Sequence, residues 1–181
     1  MRWLRWHRRD DAAAQTEPGA DPSDLTPVVV PMRVEDLDAI LVIERASFPT
    51  PWSRRAFLSE LTENAYARYY VAKVGGRVIG YAGTWAVLDE VHVTNVAVHP
   101  SWRNQGIGHR LMEAIVAQAD ASRCRRVTLE VRRSNLVAQR LYESFDFVRR
   151  GVREGYYTDT HEDAFVMVRE RSFPESAGMD P

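Results

Sequence analysis

The residues best placed to do chemistry lie between Val91 and Gly108, in the stretch VHVTNVAVHPSWRNQGIG. An apolar strand runs into a His99-Pro100 turn. A basic segment follows, Arg103-Asn104-Gln105-Gly106-Ile107-Gly108, and then an amphipathic run from His109 to Ala121. Strand, glycine loop and helix in that order aim several backbone N–H groups and a positive dipole end at an anion. Gly106 and Gly108 present no side chain to hold a phosphate off the backbone. Arg103 adds a fixed charge. The expected chemistry is a phosphate or pyrophosphate cradle. It is not a Walker loop, because no Gly-Lys-Ser/Thr closes it. It is not a dinucleotide-fold fingerprint either, because Leu111 stands where the third glycine belongs. Glycine pairs also make ordinary tight turns, so the cradle reading rests on its context.

The strand before the loop changes parity. Apolar residues fall at Val91 and Val93, then at Val96 and Val98. A one-residue slip, such as a β-bulge near Thr94-Asn95, accounts for this and would splay the strand beside a site. A strand buried on both faces accounts for it equally.

The elements that must position this stretch can be read in order. Val28–Met32 reads as a strand. A helix over about 34–47 follows, its apolar stripe marked by Leu37, Ile40, Leu41 and Ile43/Glu44. Phe48-Pro49-Thr50-Pro51-Trp52-Ser53 breaks that helix, either as core packing or as a substrate lip. Ser53 can cap a helix over 54–63. Strands at 69–74 and 77–87 are joined by Gly75-Gly76, a two-residue hairpin signal. Leu88-Asp89-Glu90 turns into the Val91 strand, and a helix over 109–121 follows the glycine loop. Arg126–Arg132 is the next strand, parallel to its predecessor across that helix. Ser134-Asn135 opens a helix over 136–145. Strands at 147–153 and 164–169 close the domain. The fold class expected is α/β, a mixed sheet with helices on both faces.

Composition narrows the function classes. The chain has 181 residues, 45% hydrophobic and 27% charged, with net charge -1. That suits one soluble domain and offers no bulk attraction to nucleic acid or to an anionic membrane. Cys124 is the single cysteine, so no disulfide forms within the chain. It reads as a bystander in a reducing, cytoplasmic setting. No apolar run approaches membrane-spanning length. His99, His109 and His161 have no metal-like spacing, and no metal site is expected. Residues 1–27 read as a disordered tail, or as a basic and aromatic patch for RNA, ribosome or membrane-surface contact followed by an acidic spacer. Residues 28–172 form the domain, and 173–181 a flexible end.

Several stretches together resemble the GNAT family of acetyl-CoA-dependent N-acetyltransferases, and within it the bacterial ribosomal-protein-alanine acetyltransferases. They are Phe48-Pro49-x-Pro51-Trp52-Ser53, Leu88-Asp89-Glu90 with Asn95-Val96-Ala97-Val98-His99-Pro100, and Arg103–Gly108. More specific are Leu129-Glu130-Val131-Arg132-x-Ser134-Asn135 and Leu141-Tyr142-Glu143-Ser144-x-x-Phe147. Tyr156-Tyr157 and Glu162-Asp163-Ala164 complete the match. The resemblance implies acetyl-CoA as donor, with its pantetheine arm on the backbone of Val96, Ala97 and Val98. Its pyrophosphate would lie on Arg103, Asn104, Gln105, Gly106, Ile107, Gly108 and His109, and Asn135 and Tyr142 near the thioester. It implies Glu130 as base and Tyr142 as acid, with Trp52, Glu90, Tyr156 and Tyr157 around the incoming amine.

A phenol of pKa about 10 is a sensible donor to a departing thiolate. A glutamate suits an α-amine better than a lysine. About a tenth of an α-amine is already neutral at pH 7, against under a thousandth of a lysine side chain. The implied substrate is a protein N-terminus, first of all that of a small ribosomal-subunit protein, acetylated directly by a monomeric enzyme. Rival readings are acetylation of a lysine or small amine, and a non-catalytic acyl-CoA-binding or ribosome-docking module. Three departures from the family stand out. Asp146 replaces a usual glycine at a left-handed helix end, the loop Thr158–Asp163 is acidic, and the tail 1–27 differs from the compact form.

Overall fold

Local signals set the elements of the structure, a computed structural model that describes residues 26–171. The first strand is β1, Val28–Pro31, followed by a 3-10 turn at Val34–Asp36 and helix α1, Leu37–Ser47. Ser53 caps α2, Arg54–Thr62, by accepting the Ala56 N–H. Strands β2, Ala67–Val74, and β3, Arg77–Val87, form the hairpin closed by Gly75-Gly76. Then come β4, Glu90–Val98, α3, Ile107–Ala121, and β5, Arg126–Arg132. Asn135, of the two expected caps, accepts the Ala138 N–H to open α4, Leu136–Glu143. The last strands are β6, Val148–Tyr157, and β7, Glu162–Glu170.

All seven strands join one sheet in the order β1-β2-β3-β4-β5-β7-β6. Only β4 and β5 pair in parallel, with α3 as the crossover between them. Leu37, Ile40 and Ile43 of α1 and Phe57 of α2 cover one face, against Val71 and Tyr81. Ile107, Leu111, Met112 and Ile115 of α3 cover the other, against Val91, Val93, Val127 and Leu129. Each such aliphatic side chain removed from water contributes about 1.5–3 kcal/mol before entropy is counted.

The change of parity in β4 is a bulge. Gly83 faces Asn95 and Thr84 faces Val93, which leaves Thr94 as the extra residue. Gly83 makes room for it: a Cβ there would stand 2.3 Å from Tyr69 Cε1 and 2.8 Å from Thr94 Oγ1. Pairing of β4 with β5 runs only from Glu90/Arg126 to Val93/Leu129. Beyond the bulge the two parallel strands part, and the edge of β4 over Thr94–Val98 has no strand partner on that side.

Several boundaries move from the sequence reading: β2 begins at Ala67, α4 ends at Glu143 and β7 spans Glu162–Glu170. Helix α3 begins at Ile107 rather than His109, because Gly106 at φ 76° turns the chain directly into it. The first turn expected of α1 is 3-10. Strand β6 runs on to Tyr157 through irregular register, with Gly155 at φ 58° and pairing resumed at Tyr157↔Glu162. Asp146 takes φ 64° after α4, the left-handed helix end expected of it. Apart from Thr26 and Pro27, the expected tail 1–27 lies outside the described residues, as does 173–181.

Candidate active site

Where β4 and β5 part there is a cavity of about 440 Å³. Its lip is the α1–α2 connection, Phe48, Pro49, Thr50 and Trp52. Its floor is Trp85 of β3, His92–Val96 of β4 and Leu129–Arg132 of β5. Asn135, Tyr142, Tyr156 and Tyr157 form the far wall. Sequence reasoning singled out Trp52, Val96, Glu130, Asn135, Tyr142, Tyr156 and Tyr157, and the fold brings all of them to this cavity.

Glu130 is the best-held group. Its side chain is only 6% exposed and lies 3.1 Å from Arg153 Nη1 and 3.3 Å from His92 Nε2. His92 Nδ1 is 3.1 Å from Thr128 Oγ1, and the Thr128 hydroxyl donates to Glu90 at 3.0 Å. Nε2 faces the Glu130 carboxylate, so Glu90, Thr128, His92 and Glu130 form one continuous chain of polar contacts running into the cavity.

Tyr142 is 8% exposed, and its hydroxyl has no hydrogen-bond partner among the described residues. Burial pushes its pKa well above 10, and nearby Tyr157 pushes it further. Burial also pushes Tyr157 up to about 12, against the lowering influence of Arg132. Both phenols are protonated at neutral pH. Arg132 lies 3.8 Å over the Tyr157 ring and grips Asp159 and Glu162. Glu162 accepts the Ser134 N–H at 2.7 Å, Arg133 pairs with Asp163, and Asp163 also accepts the Gly155 N–H. The acidic loop is thus committed to the protein itself. Asp159 is held below the usual carboxylate range chiefly by Arg132, and Glu162 chiefly by its hydrogen bond with Ser134.

The cradle stands at the start of α3. Its N-terminus has no side-chain cap and no acidic residue in the first turn, so its first N–H groups remain open to an anion. Asn104 at φ 60° and Gly106 at φ 76° bend the loop. Gly108 serves packing as well, since a Cβ there would stand 3.3 Å from Leu141 Cδ2 of α4. Arg103 bridges two elements: Nε donates to the Val98 carbonyl at 3.1 Å and Nη2 to Ser47 Oγ at 3.2 Å. Gln105 donates to the Ser101 carbonyl. The His109 ring packs 4.5 Å from that of Phe145. Ile107 and Ala97 are buried, and Val98 lies with Ala97 on β4 beyond the splay.

Glu90 is not brought to the cavity. It is held by Arg126 at 2.6 Å and by Thr128. Three cavity-lining groups, and Arg153 beside Glu130, escaped sequence reasoning. Trp85 donates through Nε1 to Glu60 at 2.6 Å. His92 and Arg153 reach Glu130 only through strand register and the turn of β6. Glu44 sat in an apolar stripe and is 1% exposed. Its only advance signal was a charge on the buried face of α1. Cys124 is buried, and burial, then Asp89 and Asp120, push its thiol pKa up. Among the described residues there is no cluster of metal-ligating side chains and no helix long and apolar enough to cross a membrane.

Known proteins carry the same pattern. The profile of the acetyltransferase (GNAT) family matches residues 37–147. A Bacillus subtilis (strain 168) protein provisionally named a [ribosomal protein bS18]-alanine N-acetyltransferase is 43% identical over 136 residues, 75% of this chain and 90% of its own length. The [ribosomal protein bS18]-alanine N-acetyltransferase of Escherichia coli (strain K12) is 36% identical over 139 residues, 76% of this chain and 93% of its own. The crystal structure of the Escherichia coli ribosomal-protein-S18-alanine N-acetyltransferase superposes with a TM-score of 0.78 at 30% identity, covering 86% of this chain and all of that one. The parted strands, the open helix end and these matches lead to one conclusion: the chain belongs to the GNAT family of acetyltransferases.

Proposed function

We propose that the chain transfers acetyl from acetyl-CoA to the N-terminal α-amine of a protein in the cytoplasm. The first candidate is a small ribosomal-subunit protein beginning with alanine, as the names of its relatives suggest. One observation carries the reading. The parallel strands part beside an uncapped helix N-terminus, and Glu130 and Tyr142 line the cavity so formed. The residues present fit acetyl-CoA: the open N–H groups of α3 would hold its pyrophosphate, and the unpartnered edge of β4 at Val96–Val98 its amide-bearing arm. Bound there, it would supply an activated acetyl group to the parted strands.

The chain's own groups then have distinct tasks. Glu130, with His92 beside it, receives the proton of the incoming ammonium. Arg153 and His92 orient the Glu130 carboxylate. Tyr142, protonated and without a hydrogen-bond partner among the described residues, donates its proton to the departing sulfur, and the second proton lost by the attacking nitrogen as the amide forms restores the phenol. Asn135 spends its carbonyl oxygen on capping α4, which leaves its amide N–H groups for the donor. Trp52, Tyr156 and Tyr157 enclose the first residue of the peptide and exclude water. The loop acids are neutralised by Arg132 and Arg133, which leaves no open acidic cleft for a polyamine. Glu90, ion-paired away from the cavity, acts through Thr128 and His92 rather than on the amine.

The test is thiol release from acetyl-CoA with short peptides. Free N-termini beginning with Ala, Ser, Gly or Met are compared with N-blocked, lysine-containing and polyamine controls. Turnover confined to free N-termini is expected, with alanine among the best. Turnover only on lysine or polyamine would overturn the substrate class.

A further inference from the structure

Glu44 is a buried carboxylate that the acetyl transfer described above does not use. It is 1% exposed, lines the cavity, and makes no ion pair among the described residues. Its two oxygens have two different donors. One accepts the backbone N–H of Trp52 at 2.9 Å, and the other accepts the hydroxyl of Tyr81 in a short hydrogen bond. Tyr81 is itself fully buried on β3 and pairs in register with Ala97 of β4. A bare buried charge is costly, and burial does raise the Glu44 pKa while the two hydrogen bonds lower it. A glutamine or an apolar residue would fill the same space more cheaply.

From this arrangement we infer that Glu44 is a positioning residue for the peptide. It ties the Trp52 lip to the strand beside the bulge and thereby sets the width of the amine-receiving slot. The inference rests on the peptide-slot reading of the cavity. Two donors converge from different elements, the α1–α2 connection and the middle of the sheet. A carboxylate has an acceptor for each. The Trp52 ring, 5.4 Å from Phe57, is then fixed at both its backbone and its side chain. Three residues further along α1, Ser47 holds Arg103 of the anion cradle. The end of α1 therefore touches both halves of the site, but Glu44 bonds to the lip and to β3 and has no hydrogen bond to the anion cradle among the described residues. Its loss should fall on the peptide and not on acetyl-CoA.

Glu44→Leu, Glu44→Gln and Tyr81→Phe test this through two measurements. Hydrogen exchange of the Trp52 amide needs no substrate. It should quicken at least about tenfold in Glu44→Leu, the equivalent of one lost hydrogen bond, and little in Glu44→Gln, which keeps an acceptor. In steady-state kinetics, Glu44→Leu should raise the KM for the N-terminal peptide on the order of tenfold, with kcat and the KM for acetyl-CoA within about threefold. Glu44→Gln should restore most of the peptide KM, and Tyr81→Phe should fall between. Unchanged Trp52 exchange in Glu44→Leu would overturn the anchor. Peptide and acetyl-CoA KM values rising together would overturn the selective role. A wild-type chain that turns over no N-terminal peptide overturns the slot itself, and the exchange data separate that result from failure of the anchor.

Discussion

Glu130 and Tyr142 face one cavity from different elements, Glu130 on β5 between His92 and Arg153, and Tyr142 buried on α4. Replacing Glu130 with Gln should lower kcat on a good peptide by about 10²–10⁴-fold, and Tyr142→Phe by a similar factor. The double variant should fall well short of the product of the two, because the groups act in one step. Glu44 makes a prediction about stability. Its folded pKa is raised, so the native state binds more protons than the unfolded chain above the unfolded value near 4.3. The wild type therefore loses stability as pH rises from the unfolded pKa through the folded one, and stays penalised above it. Glu44→Gln should remove that dependence, which denaturant titrations between about pH 4 and 8 would reveal. Asp146 is a separate case. It holds φ 64° without any cavity role. Asp146→Gly should stabilise by roughly 1 kcal/mol and raise Tm by about 2–4 °C, with turnover unchanged.

At the scale of elements, the site depends on a bulge on one side and a clasp on the other. Gly83→Ala would drive a methyl group into Tyr69 and Thr94. It should cost on the order of 1–3 kcal/mol by overpacking and reduce activity by disturbing the splay, both measurable on the purified variant. Arg132→Lys keeps the charge but loses the planar fork on Asp159 and the stack on Tyr157. The expected result is a rise of about tenfold in peptide KM, from loosening of the β6–β7 turn. Much of this was legible in the sequence. The order of elements followed from periodicity and turn residues, the bulge from the shifted parity of Val91, Val93, Val96 and Val98, and the left-handed helix end from Asp146. The partners of Glu130 were not legible. His92 reaches it because β4 and β5 pair with His92 beside Thr128, and no local pattern encodes that register. Arg153 reaches it through irregular pairing in β6. Glu44 looked like a stripe residue because periodicity reports burial and says nothing of what a buried charge is bonded to.

On the scale of the whole molecule, the acids of the Thr158–Asp163 loop are internal fastenings, held by Arg132, Arg133 and backbone N–H groups. The near-neutral net charge of -1 fits a site that selects by shape and by a few fixed polar groups. The lone thiol, Cys124, has a practical consequence. It is 5% exposed, and its pKa is raised by burial and by two nearby aspartates. Thiol reagents attack the thiolate form and need access to it. The folded enzyme should therefore be silent towards a chromogenic disulfide reagent, and every equivalent of colour in a coupled assay would count released coenzyme A without an enzyme blank.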